Sequence, residues 1–164
     1  NQQLKEIASG QFKTPAVGQL WRVCVDPQTA VVRAQTCLVE DYCEFPQVPT
    51  DQPVVTAPTY LSLQTPGHDN TGELFRAIAR FEPDTAKLTV AEAGTEQYPS
   101  EPIYVPKGDP TKPAGWVLSV VYDGAAHQSE VWIYDSDRLE AEPVCRLALP
   151  SVIPHSFHGT WRPG

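Results

Sequence analysis

The chain contains no methionine and no long apolar run, and each absence narrows what it can be. With no initiator Met, and none of the basic start, apolar stretch and small-residue cleavage site of a signal peptide around Asn1-Gln2-Gln3-Leu4-Lys5, it reads as a piece of a longer polypeptide. No stretch of 18 apolar residues occurs, so a membrane-spanning helix is not expected. Basic residues are scarce: 12 Lys and Arg stand against 20 Asp and Glu, a formal net charge of -8. No basic stripe is visible, which argues against nucleic acid as a partner. The four cysteines, Cys24, Cys37, Cys43 and Cys145, include no C-x-x-C pair, so a zinc ribbon or a dithiol redox motif is not expected. Reduced, mostly buried thiols are the expectation.

What is present is β pattern. Short runs of Val, Ile, Tyr, Trp and Leu are broken by Pro, Gly and Asp. Leu20 to Asp26 alternates and turns at Pro27, with Ala30 to Ala34 as its hairpin partner. Val54 to Leu63 reads as a third strand, and Leu74 to Phe81 as a fourth that turns through Glu82-Pro83-Asp84-Thr85 and returns along Lys87 to Val90. Trp116 to Tyr122 is nearly all apolar, as in a strand covered on both faces. Gly124-Ala125-Ala126 turns the chain, Glu130 to Asp135 returns, and Pro143 to Leu149 closes the group. Ser136 to Glu140 suits one helical turn, and residues 1–18 suit a helix or a frayed arm. Pro46 to Pro53 and Pro106 to Pro113 read as proline-rich loops. The expected class is all-β with short antiparallel strands: a sandwich, a barrel or propeller blades.

Three motifs in order carry a resemblance: Cys43-Glu44-Phe45-Pro46; Ser100-Glu101-Pro102-Ile103-Tyr104-Val105-Pro106 with Gly115-Trp116-Val117-Leu118-Ser119-Val120-Val121-Tyr122; and Leu149-Pro150 leading to Ile153-Pro154-His155-Ser156-Phe157-His158-Gly159-Thr160-Trp161. Together they resemble the carotenoid oxygenase family, which includes the retinal pigment epithelium isomerase, apocarotenoid oxygenases and lignostilbene dioxygenases. The resemblance implies a seven-bladed β-propeller with iron(II), Fe2+, on its axis. Four histidines from different blades hold the iron, and three glutamates stand behind some of them. Residues 1–164 would form the last blades of that single domain. By position, His158 matches the final iron ligand, and Glu44 and Glu101 match two of the glutamates. Phe45, Phe157 and Trp161 are expected as pocket walls. No residue of this chain is expected to react with substrate itself.

The chemistry suits those residue types. Imidazole suits iron(II), and four neutral ligands leave the metal its full double charge. A carboxylate that accepts the second ring N–H fixes the ligating tautomer. Taken alone, a single His near a chain end is an ordinary surface or core residue, and a Glu before proline an ordinary loop residue. The flanking Phe157, Gly159 and Trp161 and the family resemblance turn the reading toward a ligand. Prolines after Glu101 and after Glu44-Phe45 predict an extended path at both places. His155 lies three residues from His158 and points the other way in an extended chain, so it is not expected on the same metal. His68 and His127 lie in polar turns and are expected in solvent. The spacing of Asp135-Ser136-Asp137 lacks the rest of a calcium loop and reads as a turn.

The resemblance thus implies a dioxygenase, or less directly an isomerase, acting on an apolar polyene or a stilbene-like alkene with O2. Its other implied partner is the upstream half of the same propeller, and upstream segments would supply any peripheral membrane contact of a cytoplasmic protein. The rival expectation is a non-catalytic β module, a truncated propeller that binds a partner through exposed strand edges.

Overall fold

Strands dominate because the β-branched and aromatic runs are too short, and too often stopped by Pro, Gly and Asp, to sustain helices. The computed structural model describes residues 2–11, 18–53, 55–65, 74–108, 114–155 and 158–162. One helix, α1 (Gln2–Ser9), precedes the strands β1 (Leu20–Val25), β2 (Val32–Val39), β3 (Cys43–Gln47), β4 (Thr59–Leu63), β5 (Ala77–Glu82), β6 (Lys87–Glu92), β7 (Gln97–Pro99), β8 (Ile103–Pro106), β9 (Gly115–Asp123), β10 (Gln128–Asp135) and β11 (Cys145–Ala148). A 3-10 turn, Ser136–Arg138, follows β10.

All described pairings are antiparallel. They make three sheets: the hairpin β1-β2, the meander β3-β4-β5-β6, and a third in which β7 and β8 both pair with β9, followed by β10 and β11. Side chains alternate across β5, so Ala77 and Ala79 pack toward the hairpin while Ile78 packs toward the third sheet. One core therefore joins Val39, Cys43, Leu61, Leu63 and Phe81, and the other joins Tyr60, Tyr104, Val117, Val121, Trp132 and Tyr134. The meander is sandwiched, and β9, central in its own sheet, alternates fully buried with half-buried positions rather than being buried on both faces.

Turn chemistry explains the first hairpin. Asp26 Oδ1 accepts the N–H groups of Gln28 and Thr29, each at 3.0 Å, and Ala30 takes a left-handed φ of 55°. Arg33 reaches back to Asp26 at 2.6 Å and holds its carboxyl down to a pKa of about 2.

Several expectations are corrected. The third strand begins at Thr59, because Thr56 and Ala57 donate to the Pro53 carbonyl in a turn and Pro58 has no N–H; Val54 lies outside the described residues. Strand β5 begins at Ala77 instead of Leu74. Strands β3, β7 and β8 had no counterpart in the pattern, being short and carrying proline, and Pro46 lies inside β3 rather than in a loop. The loop expected to Pro113 is described only to Gly108. Of the unpaired cysteines only Cys43 is buried; Cys24 is exposed, and Cys37 and Cys145 are intermediate.

Candidate metal centre

The edge of each larger sheet carries one of the two glutamates, and each sits at an irregularity of the same kind. On β3, Phe45 and Pro46 lie between Glu44 and Gln47, whereas Leu61 alone separates their partners Ser62 and Tyr60. Between β7 and β8, Ser100, Glu101 and Pro102 stand opposite only Val120 and Ser119. Each edge strand thus has one residue more than its neighbour, a bulge that re-aims side chains. Phe45 pays with a φ of 57°, which overturns the extended path expected before Pro46. The second bulge is pinned by its backbone: Ser119 Oγ and Ser62 Oγ donate to the Ser100 carbonyl at 2.9 and 3.3 Å, and the Ser100 N–H bonds the Val120 carbonyl.

Glu101 is buried, with only 5% of its side chain exposed, yet both carboxylate oxygens are occupied. Gln47 Nε2 donates to Oε1 at 2.6 Å, the Gly159 N–H donates to Oε2 at 2.7 Å, and His158 Nδ1 faces Oε1 at 3.3 Å. An ionised carboxylate only accepts, so a neutral ring facing it carries its proton on Nδ1 and its lone pair on Nε2. The His158 side chain is 75% exposed in this chain, and Nε2 meets no partner among the described residues. The tail that brings it here is fastened first at Ser129, which takes the Leu149 and Ile153 N–H groups on its carbonyl and hydroxyl. Gly159 then passes so close to Ile103 that an added Cβ would stand 2.7 Å from Cδ1.

Glu44 is half-buried on β3, and Tyr42 Oη donates to its Oε1 at 3.1 Å. Burial, with Glu44 beside it, pushes the Tyr42 phenol well above its ordinary range, so it remains a donor. An aromatic path connects the two glutamates: Tyr42 packs on Phe75, Phe75 on Phe45, and Phe45 meets the His158 ring edge-on at 5.6 Å.

His158, Glu101 and Phe45 are therefore neighbours, and Glu44 stands on the same edge strand as Phe45. Trp161 is 49% exposed and makes no ring contact among the described residues. Phe157 and His68 lie outside those residues. His155 is exposed but crowded enough that desolvation lowers its pKa. His127 sits in its turn with Nδ1 2.9 Å from Tyr122 Oη. The pattern did not single out Gln47, Tyr42 or Phe75; the Gln that follows Glu-Phe-Pro was the available signal. Among the described residues no three His, Cys, Asp or Glu side chains converge on one point.

The model of the family described as retinal pigment epithelial membrane protein matches residues 1–163. Apocarotenoid-15,15'-oxygenase of Synechocystis sp. is 32% identical over 158 residues, covering 95% of this chain and 32% of that protein. Resveratrol cleavage oxygenase 1 of Aspergillus fumigatus is 31% identical over 93 residues, covering 56% of this chain and 18% of the relative. The crystal structure of cobalt-substituted Synechocystis ACO superposes with a TM-score of 0.76 at 30% identity, over 89% of this chain and 30% of that one. The chain spans about a third of the length of the first of these relatives. A sequence match over nearly every residue, and the same strand arrangement in a solved relative, together make the chain a member of the retinal pigment epithelial membrane protein family.

Proposed function

We propose that the chain is the C-terminal part of a non-haem iron(II) dioxygenase that cleaves a C=C bond of a carotenoid, apocarotenoid or stilbene-type substrate, with His158 as one of the iron ligands. The carrying observation is the contact that orients His158: a buried carboxylate faces Nδ1 at 3.3 Å, while the rest of the side chain is largely exposed and Nε2 has no partner among the described residues. Iron(II) supplies a centre at which O2 can be activated, and in a dioxygenase both oxygen atoms end in the two carbonyl products. The residues present fit such a centre. Glu101 holds the ring in the tautomer whose Nε2 can donate to a metal, and the Gly159 N–H keeps that carboxylate in place. Glu44 uses one oxygen for Tyr42, and its other oxygen, without a partner among the described residues, is available to a histidine from outside this chain. Phe45 screens one side of the imidazole from water, and the Tyr42-Phe75-Phe45 row suits an apolar polyene.

In this reading the three sheets are successive blades of a propeller. The hairpin exposes Trp21, Val23, Val25 and Val32, an apolar surface for the upstream half of the same propeller to cover. The same surface would serve the rival reading, a β module that binds a partner without catalysis. Iron content and polyene or stilbene cleavage by the full-length protein separate the two, with His158→Ala as the control. Loss of iron and of cleavage is the expected result; retention of both overturns the ligand assignment.

A further inference from the structure

Strand β3 contributes a second polar residue to the site, and the bulge is what makes it possible. Glu44 pairs with Ser62 and Gln47 with Tyr60, and both partners face the third sheet. In a regular strand, residues three apart point to opposite faces. The extra residue at Phe45-Pro46 restores the phase, so Glu44 and Gln47 share one face. Gln47 uses that placement to cross between sheets, and its Nε2 lies 2.6 Å from Oε1 of Glu101, the oxygen that also faces His158. Within hydrogen-bonding distance of the carboxylate stand only N–H groups, those of Gln47, Gly159 and the His158 ring; Arg and Lys contribute none among the described residues. Such donors act through direction and distance, so the rotamer of Glu101 depends on where Gln47 holds it.

We propose that Gln47 is a positioning residue for the metal centre: it orients Glu101, and through Glu101 the imidazole of His158, and so ties the support of this ligand to the strand that bears Glu44. The proposal rests on the reading of His158 as a metal ligand. Nothing in the chemistry requires Gln47 to touch metal or substrate; its amide acts one residue further back.

The test uses the full-length protein loaded with cobalt(II), whose visible absorption reports ligand geometry. Gln47→Leu and Gln47→Met remove the donor with little change in bulk, and the unbranched Met keeps the reach of the side chain should Leu impair folding. Both are expected to weaken cobalt binding by roughly tenfold or more, within the range of about 10–100-fold typical of groups that orient metal ligands. The visible spectrum is expected to shift with the loss of affinity. In a Glu101→Ala background neither substitution is expected to weaken binding further, because the group through which Gln47 acts is gone. A residue that merely packs between sheets would lower thermal stability while leaving the spectrum unchanged. Affinity within twofold of the parent with an unchanged spectrum overturns the proposal, and so do losses that multiply with that of Glu101→Ala. His158→Ala is measured alongside. Unchanged cobalt binding in that variant defeats the ligand assignment itself, whereas loss of cobalt there with silent Gln47 variants defeats only the role of Gln47.

Discussion

Substituting Glu101 by glutamine preserves shape and removes charge. The carboxylate receives Gln47 Nε2 at 2.6 Å and His158 Nδ1 at 3.3 Å on one oxygen, and the Gly159 N–H at 2.7 Å on the other. A carboxamide has a single oxygen, so its NH2 group must oppose one of these donors. The least costly orientation keeps the oxygen toward Gln47 and His158 and sets NH2 against the N–H of Gly159, the one of the three donors that belongs to the backbone of an exposed residue. Two charge-assisted hydrogen bonds then become neutral ones, each weaker by about 1 kcal/mol, and the third is lost at about 1 kcal/mol. The total, about 3 kcal/mol, divides between folding stability and the orientation of the imidazole. Glu101→Gln in the full-length protein is therefore expected to weaken iron(II) binding roughly 5–30-fold, from about 1–2 kcal/mol of that total. It is also expected to lower unfolding stability by about 1–2 kcal/mol. Anaerobic competition with a chelator measures the first and urea denaturation the second. A folded Glu101→Gln protein that binds iron within twofold of the parent refutes the idea that this carboxylate orients a ligand.

Three further outcomes follow from the geometry. The Asp26 pKa is lowered in the fold to about 2 by Arg33 and by the turn N–H groups, so its support of the β1-β2 turn is present above the unfolded carboxyl pKa and disappears as pH falls through the folded value. Acid titration followed by NMR should show the turn amides of Gln28 and Thr29 shifting between about pH 4 and pH 2, and Asp26→Asn should abolish that step. Burial pushes the Cys43 thiol up to about 11, so alkylation at pH 8 is expected to spare Cys43 until urea unfolds the protein, and labelling of the native form would contradict its place in the core. At Gly115, an added Cβ would overlap the Tyr104 ring, which stacks on Tyr60, so Gly115→Ala should lower unfolding stability by about 1–3 kcal/mol, and the added substitution Tyr104→Ala should recover part of that loss.

The class of fold was legible because side-chain period and turn chemistry agree over most of the chain. The pairs β5-β6 and β9-β10 follow from strand-forming runs joined by turns at Glu82-Pro83-Asp84-Thr85 and Gly124-Ala125-Ala126, although the run of β9 reads as covered on both faces. What was not legible is what departs from regular pairing. Strands β3, β7 and β8 are interrupted by bulges and contain proline, so neither alternation nor propensity marks them. The same irregularities place the site residues. Glu44, Glu101 and His158 could be named because their motifs resemble a family, but their mutual geometry depends on a register shift that no local pattern announces. Gln47 escaped notice for that reason: without the extra residue its side chain would face the opposite side. The contacts of Glu101 with Gln47 and His158 span 54 and 57 residues, beyond the reach of any windowed reading.

Those separations also bear on the order of assembly. Contacts between sequence-distant segments close late, since loop closure must be paid before they return anything. The two larger sheets form from neighbouring hairpins, whereas the cradle around Glu101 waits for strand β3 and for the tail that follows Leu149. Clipping that tail would therefore leave a protein with its sheets and its circular dichroism nearly intact but with an empty socket where the imidazole docks. Proteolysis there would remove the imidazole and spare the scaffold, and damage of this kind would escape any assay that reports folding alone.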